Sequence, residues 1–278
     1  MAQPISFPFQ LLDNDDFYCT VQSRQTSGSS SNGTTYGKNI VEALNSQVDN
    51  FDFSCDPNDH FGQYPTSKYY TVRQFTHQYP KIINNEFSLL HCNIRSMNSN
   101  FEQLRILLED LQFSLSVIGL TETWFTDIPS SLYSLPGYEL IFNNRIDRSG
   151  GGVALYISRK FNFTPVKELF CMTPALETVF VEISIPRKRN ILIGTVYRPP
   201  QSSHHDFLEA LQQLLSQPIF RQKDCFIMGD FNANLLNYDT NVFSQEFLDA
   251  LLTESFLPLI TKPTRITEQT STLIYYIY

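Results

Sequence analysis

From Phe87 onward the sequence alternates short apolar runs rich in β-forming residues with segments of helical periodicity. This alternation is typical of layered α/β architectures, in which helices cover β-sheets. It predicts an α/β fold with more than six strands. The predicted strands span residues 87–93, 116–123, 138–145, 151–159, 179–185, 190–198 and 225–232. The runs at 179–185 and 190–198 are expected to pair across a turn. Pro186 lies at that turn, where its missing backbone N–H breaks no hydrogen bond of the sheet.

Three amphipathic helices are predicted among these strands. The first opens with Ser99 and Glu102, which have the spacing of a capping box. Leucines at positions 104, 107, 108 and 111 then form one apolar stripe. Apolar residues at helical spacing mark a second helix over residues 207–215 and a third over residues 247–252.

The composition supports a folded core and excludes several function classes. Hydrophobic residues make up 42% of the 278 residues and aromatic residues 14%, which excludes wholesale disorder. The formal net charge is −8, so any contact with nucleic acid must be local or metal-assisted. No apolar run approaches the roughly 18 residues that span a bilayer, and the N-terminus lacks the basic region of a signal peptide. We therefore expect a soluble, intracellular protein without a membrane partner.

The cysteine pattern argues against covalent cross-links. The chain has five cysteines, an odd number, and none lies in a CxxC pair. Such a pattern indicates reduced core thiols rather than a disulfide framework or a zinc site. No disulfide-linked partner is expected.

Two segments at the ends of the chain differ from the rest. Residues 20–40 are rich in Ser, Thr and Gly, and burial there could not offset the entropy of ordering the backbone. Residues 1–80 are therefore predicted to be a largely disordered polar arm, and residues 81–278 to be one folded domain. The sequence stops inside the apolar, β-prone run at 272–278, and an uncovered strand of this kind promotes aggregation. We expect that a C-terminal piece of the domain is missing.

Polar side chains stand at the C-terminal ends of three predicted strands: Asn93, Glu122, and Asp230 with Asn232. Strand ends of this kind line the crevice where α/β proteins bind ligands. Asp230 and Asn232 are two residues apart and point to one face while the strand persists, and Gly229 would let a bulky ligand approach the backbone. Carboxylates and carboxamides form an all-oxygen set suited to Mg²⁺ or Mn²⁺. Each residue taken alone is also a common strand-end capping or turn residue.

Five short motifs carry a resemblance to a known family. In order they are Asn93–Ser96, Leu120–Trp124, Arg148–Ala154, Val196–Pro199 and Met228–Ala233. This series resembles the endonuclease/exonuclease/phosphatase superfamily, and more narrowly the apurinic/apyrimidinic-endonuclease-like domain of non-LTR (LINE-type) retrotransposon polyproteins. The resemblance covers about residues 66–278. It implies a four-layer α/β sandwich, with two central β-sheets flanked by helices, that cuts phosphodiester bonds of DNA with a divalent metal.

The resemblance also implies roles for individual residues. Glu122 would be the metal ligand, while Asn93 and Asn232 would orient the scissile phosphate. Asp230 would act on the attacking water or on the leaving oxygen. Weaker candidates for phosphate contact are Tyr197, Arg198 and Thr272, although Tyr197 and Arg198 are equally well explained as a core-edge residue and a solvated residue.

One departure from the family pattern predicts weak catalysis. Where such domains have an Asp that orients a catalytic His, this chain has Tyr275. All five histidines precede Asp230, and no Ser-Asp-His triplet follows it. We therefore expect a catalytically impaired DNA endonuclease domain that acts in the nucleus. Two alternatives are a non-catalytic nucleic-acid-binding remnant and a phosphatase acting on a small phosphorylated substrate.

Overall fold

The computed structural model describes residues 5–10, 18–24, 67, 69–78, 87–112, 114–125, 130–146, 150–266 and 269–278. Two β-sheets pack face to face and helices cover their outer faces. In the described ranges, no helix has both the length and the apolar character needed to cross a bilayer.

The first sheet has six strands. They are β1 (Ile5–Gln10), β2 (Tyr18–Arg24), β3 (Phe87–Asn93), β4 (Val117–Thr121), β5 (Tyr138–Asn143) and β6 (Val153–Ser158). Their spatial order is β1-β2-β3-β4-β6-β5. The central pair β3 and β4 is parallel, and the other pairs are antiparallel.

The remaining strands form the second sheet and a small ribbon. They are β7 (Asn162–Pro165), β8 (Cys171–Met172), β9 (Glu177–Ser184), β10 (Ile191–Tyr197), β11 (Asp224–Asp230), β12 (Arg265–Ile266), β13 (Ser271–Thr272) and β14 (Tyr275–Ile277). The second sheet has the order β14-β11-β10-β9-β7, with β8 beside β9, and β12 pairs with β13. Strands β10 and β11 are parallel. The predicted pairing of β9 with β10 is confirmed, with Ile183 opposite Ile191.

Five helices flank the sheets in the described part of the chain. They are α1 (Val72–Gln78), α2 (Met97–Leu111), α3 (His204–Leu215), α4 (Pro218–Gln222) and α5 (Val242–Thr253). The predicted start of α2 at Ser99 is wrong. Ser96 is the N-cap, and its side chain accepts a hydrogen bond from the Ser99 amide. The helix begins earlier because Met97 is fully buried in the core under it.

Alternation along the strands divides the interior into two cores. In the first sheet Leu89, Val117 and Leu155 face the second sheet, while Leu90, Ile118 and Tyr156 face α2. This period-2 pattern buries both faces of the sheet, as expected when a sheet lies between two layers. The larger core also takes in α3 and α5 on the far side of the second sheet. The layers confirm the predicted α/β sandwich.

Strands β1 and β2 and helix α1 lie within residues 1–80, the segment predicted to be a largely disordered polar arm. Most of that segment lies outside the described residues, so the division at residue 80 stays a prediction. One expectation about the cysteines needs correction. Cys92 is disulfide-bonded, which contradicts the expectation of reduced core thiols at this position. Cys19 is the residue opposite Cys92 in the β2–β3 register, a pairing of distant segments that cysteine spacing does not reveal. Cys171 and Cys225 are free thiols.

Candidate active site

The polar strand-end residues meet where the two sheets are stacked. Asn93 ends β3, Glu122 directly follows β4, Tyr197 ends β10 and Asp230 ends β11. Each sheet contributes a parallel pair at its centre, so the carboxyl ends of both strands in a pair lie at one edge. The sandwich thereby brings side chains from four strand ends to one place.

Asn93 joins the two carboxylates of the site. Its buried side-chain amide Nδ2 donates to Glu122 Oε1 and to Asp230 Oδ2, each at 2.8 Å. The other amide atom, Oδ1, is buried and has no hydrogen-bond partner among the described residues. A buried polar atom without a partner is costly. The site is therefore incomplete at Asn93 Oδ1, which could be satisfied by a cation or a hydrogen-bond donor.

Asp230 is a buried acid whose protonation is tuned to neutral pH. The pKa of its carboxyl group is raised from the ordinary 3.8 to about 7, mainly by burial and to a smaller extent by the charge of Glu122. Hydrogen bonds from the Asn232 amide, to Asp230 Oδ1 at 3.0 Å, and from Asn93 partly oppose this shift. A group with such a pKa can both hold and release a proton near pH 7.

Asn232 reaches the site differently from the sequence expectation. Strand β11 ends at Asp230, and Asn232 has a left-handed backbone with φ of 46°. The two side chains consequently do not share a strand face, and it is the backbone N–H of Asn232 that contacts the Asp230 carboxylate. The Asn232 side chain instead donates to the carbonyl oxygen of Arg198 at 2.7 Å.

The structure explains the glycine at position 229 differently from the sequence expectation. A Cβ atom on this residue would lie 1.8 Å from the carbonyl oxygen of Val196 on the neighbouring strand. The glycine therefore allows β10 and β11 to approach each other, and the expectation of a ligand approaching its backbone is not needed to explain it.

Glu122 is held by the loop that follows β3. Its backbone is left-handed, with φ of 54°. The amide of Ser96 donates to the Glu122 carbonyl at 2.8 Å, and the amide of Met97 donates to the Thr123 carbonyl at 2.9 Å. A left-handed conformation is uncommon for a residue with a side chain and often marks a functional site. These bonds fix the Glu122 carboxylate next to Asn93.

Tyr197 and Arg198, adjacent in sequence, have different surroundings. Tyr197 lines the cleft beside Glu122, and burial together with the charges of Glu122 and Asp230 raises the pKa of its phenol. The phenol therefore stays protonated. Arg198 is buried, and its guanidinium donates to the carbonyls of Asn232 at 2.9 Å and Ser202 at 3.1 Å.

The environment of Arg198 is that of a scaffold residue. Its guanidinium carbon lies 4.4 Å from the centre of the Phe243 ring, and burial lowers the pKa of the side chain. The structure thus uses Arg198 to tie the loops after β10 and β11 together. This environment differs from both sequence expectations for Arg198, which were a phosphate contact and a solvated side chain.

Thr272 and Tyr275 lie on the strands next to the site. Thr272 lies in β13, and its buried hydroxyl has no hydrogen-bond partner in the part of the chain that the structure describes. Tyr275 is opposite Asp230 in the β11–β14 register. Its ring centre is 5.9 Å from that of His91. His91 is fully buried, and burial lowers its pKa to about 3, so the imidazole is neutral at physiological pH.

A buried ion pair behind the cleft was not found from sequence. Glu177 is 0% exposed and accepts from Arg145 Nε at 2.5 Å and from the Gly152 amide at 2.6 Å. These contacts hold the glycine turn at 150–152 against the start of β9. The only sequence signal was that turn, since nothing in the spacing of Arg145 and Glu177 indicates that they meet.

The donor chemistry of the site fits a hard divalent cation. Glu122 offers a carboxylate, with the Asp230 carboxylate and the unpartnered Asn93 oxygen beside it. In the described ranges, no group of three His, Cys, Asp or Glu side chains could hold a metal without other ligands. Mg²⁺ generally takes one or two protein carboxylates and completes its shell with water and substrate phosphate. The residues present match that type of site.

Comparison with known proteins agrees with this architecture. Residues 90–274 match the model of the endonuclease/exonuclease/phosphatase family. No curated protein sequence matches the chain significantly. Among solved structures, the endonuclease domain of TRAS1, a telomere-specific non-LTR retrotransposon, is 13% identical over 68% of this chain and 83% of that domain, with a TM-score of 0.51.

Two further solved structures are more distant. The AP endonuclease LMAP from Leishmania major is 12% identical over 66% of this chain and 76% of its own, with a TM-score of 0.47. A 3′ phosphatase from Neisseria bound to a product DNA hairpin is 16% identical over 58% and 68%, with a TM-score of 0.41. From the match over residues 90–274 and the shared sandwich fold, the chain belongs to the endonuclease/exonuclease/phosphatase family.

Proposed function

We propose that the chain is the endonuclease domain of a non-LTR retrotransposon, built to hydrolyse DNA phosphodiester bonds with Mg²⁺ or Mn²⁺. The observation that carries the proposal is the bridge from Asn93 to the carboxylates of Glu122 and Asp230. The fold shared with the TRAS1 endonuclease supports the retrotransposon origin. A DNA substrate in turn implies action in the nucleus.

The two carboxylates have different tasks in this proposal. Glu122 is part-exposed at the edge of the cleft and would hold the metal, with Asn93 beside it. When bound, the metal neutralises charge that develops on the phosphate oxygens. Asp230 is buried, with a pKa of about 7. Its carboxylate would accept a proton from the attacking water or return one to the leaving oxygen.

Neighbouring residues would orient the phosphate. The amide of Asn93 is fixed by its two carboxylate bonds, which makes it a preorganised dipole. Arg198 and the Asn232 side chain each bond the other residue's backbone carbonyl, so Arg198 positions Asn232 rather than binding substrate. The protonated phenol of Tyr197 lines the same cleft and can donate a hydrogen bond to a phosphate oxygen. Thr272 remains a weaker candidate for phosphate contact.

We propose that this polypeptide hydrolyses its substrate slowly. In the described residues no histidine forms a hydrogen bond with the Asp230 carboxylate, and Tyr275 stands where the resemblance places the Asp that orients a catalytic His. General acid–base assistance typically contributes about 10²- to 10⁴-fold in rate. A site that keeps its metal and phosphate residues but has Tyr275 in place of a histidine-orienting Asp should retain binding and lose most turnover.

Nicking of supercoiled plasmid tests the proposal. Purified protein with Mg²⁺ should nick slowly, and EDTA or Asp230→Ala should abolish the reaction. Added imidazole should accelerate the wild-type protein, because a free base can replace a missing one, and should not rescue Asp230→Ala. Nicking that is unaffected by EDTA would refute the metal-assisted mechanism, and fast nicking indifferent to imidazole would refute the impairment.

Two other results would favour the alternatives. Salt-dependent DNA binding without any nicking would indicate a non-catalytic nucleic-acid-binding remnant. Release of phosphate from a small phosphomonoester, with no action on DNA, would indicate a phosphatase.

A further inference from the structure

An exposed tryptophan stands at the edge of the candidate active site without an assigned task. Trp124 is 44% exposed and lies two residues after Glu122. It lines a cleft of about 420 Å³ together with Glu122 and Tyr197. That volume lies within the usual range of small-molecule sites, about 300–1,000 Å³. The cleft is thus continuous with the proposed metal and phosphate residues.

The backbone fixes Trp124 in place. Its φ is 51°, a left-handed conformation that side-chain-bearing residues rarely adopt. Its amide donates to the Gly151 carbonyl at 2.9 Å. Gly151 and Gly152 also have positive φ, and the amide of Gly152 is held by buried Glu177. A strained, cross-bonded backbone therefore presents a large aromatic side chain to solvent.

The other walls of the cleft do not suit a phosphate. Arg145 is the only cation among the described lining residues, and it is paired with Glu177. Two acidic side chains, Glu122 and Asp206, also line the cleft. Pro174, Ala175, Pro199 and Pro200 form an apolar part of the remaining wall, and Gln201, Ser202 and Ser203 add neutral polar groups. Such a cleft accepts a flat, neutral group beside a phosphate rather than the phosphate itself.

We propose that this cleft is a nucleobase subsite in which one base next to the scissile phosphate stacks on Trp124. The inference rests on the proposed function, since it places a polynucleotide at the Glu122–Asp230 site. Every base has a π-face, so stacking of this kind tolerates different sequences. A base within a duplex has both faces covered by its neighbours. The occupant is therefore an unpaired nucleotide, either in single-stranded DNA or at an unpaired position of a duplex.

Trp124 is the only tryptophan of the chain, so its fluorescence reports on the subsite directly. The full chain is titrated with a short single-stranded oligodeoxynucleotide, with the same sequence as a paired duplex, and with a duplex carrying one unpaired nucleotide. Ca²⁺ replaces Mg²⁺ to limit hydrolysis. Saturable quenching is expected with the single strand and with the unpaired nucleotide, and little quenching with the fully paired duplex.

Variants separate stacking from general binding, with affinity measured by anisotropy of a labelled oligonucleotide. Trp124→Ala should weaken single-strand binding by about 5- to 150-fold, the loss expected for one stacked base. Trp124→Phe should retain most of the affinity. The control is Tyr69→Ala, which removes another exposed aromatic (42% exposed) that bonds the Pro263 carbonyl outside the cleft. Its affinity should equal that of the wild type.

The outcomes distinguish this inference from the proposed function. Quenching in Ca²⁺ without nicking in Mg²⁺ supports the subsite and contradicts the hydrolytic activity. Nicking with unchanged Trp124 fluorescence refutes the subsite and leaves the activity standing. Equal quenching by paired and single-stranded DNA, or no binding of any oligonucleotide, also refutes the subsite.

Discussion

At the scale of single residues, burial moves the pKa values of two site neighbours in opposite directions. Asp230 has a folded pKa of about 7 against 3.8, so its ionisation opposes folding progressively as pH rises from 3.8 to 7. His91 has a pKa of about 3 in the folded state against an ordinary value of 6.5. Its contribution to the free energy of unfolding is therefore complete above pH 6.5 and is lost as pH falls towards 3. Between pH 6.5 and 3.8 the two slopes cancel. The wild-type protein therefore conceals both effects.

The Asp230→Asn variant should separate the contribution of Asp230 to stability from that of His91. The variant removes the cost of a buried charge and should be more stable than the wild type at pH 8 by roughly 1–3 kcal/mol. This advantage should shrink by about 1.4 kcal/mol per pH unit as pH falls from 7 to 5, since wild-type Asp230 becomes protonated. Urea midpoints at pH 8, 6 and 5 measure it. An advantage that does not change with pH would contradict the raised pKa.

At the site, the sequence predicted which residues meet but not where every side chain points. Asn93, Glu122 and Asp230 were predictable as neighbours because strand ends converge in an α/β sheet. The contacts of Asn232 and Arg198 were not predictable. A left-handed turn redirects Asn232, and the Phe243 ring that covers Arg198 comes from a helix far along the chain.

At the scale of elements, the glycine turn before β6 depends on the buried Arg145–Glu177 pair. Arg145→Ala would remove the ion-pair partner of the buried Glu177 carboxylate. Removing one partner of a buried pair typically costs about 3–5 kcal/mol. Thermal or urea unfolding should show a loss of that size.

The matched control for this prediction is Arg105→Ala on α2. Arg105 forms exposed pairs with Glu102 and Glu109 at 3.4 and 3.7 Å, and such helix pairs contribute about 0.3–0.5 kcal/mol. Equal losses in the two variants would mean that the Arg145–Glu177 pair does not stabilise the turn.

The parallel pair β10 and β11 depends on Gly229. In Gly229→Ala the new Cβ would lie 1.8 Å from the Val196 carbonyl oxygen, which forces the strands apart. Overpacking of this kind costs about 1–3 kcal/mol, and backbone contact places this case at or above the upper value.

Gly137→Ala serves as the comparison for Gly229→Ala. Its φ is +82° and no atom lies within 4 Å of its added Cβ. The substitution therefore costs only the strain of a left-handed backbone, about 1–2 kcal/mol. Differential scanning calorimetry should rank Gly229→Ala as clearly less stable. The reverse ranking would show that the strands separate easily.

The predictability of elements followed their burial. The predicted strands and three helices formed because each has a strong apolar pattern, while the start of α2 was misplaced because burial of Met97 overrides the capping signal at Ser99. The β-strands from residues 5–10 and 18–24 were missed. Pro8 interrupts the first run and the second ends in the polar residues 22–24, so the local strand signal is weak. The pairing of β2 with β3 is a long-range contact.

At the scale of the whole molecule, the sandwich explains how an acidic chain could bind the polyanionic substrate that we propose for it. The net charge of −8 gives no general attraction for DNA. The stacked sheets instead concentrate two carboxylates and a carboxamide at one edge, where a divalent cation would reverse the local charge. The layered class was predictable from alternating elements, whereas the cleft walls around Trp124 required loops that only the tertiary fold brings together.

The most direct test of the central claim is metal binding, because turnover depends in addition on a general base. Binding of Mn²⁺ is measured by electron paramagnetic resonance for the wild type, for Glu122→Gln and for Glu139→Gln, a control at an exposed position of β5. The account predicts one Mn²⁺ site that Glu122→Gln weakens at least about tenfold and Glu139→Gln leaves unchanged. Equal Mn²⁺ affinity in the wild type and Glu122→Gln would contradict the proposed active site.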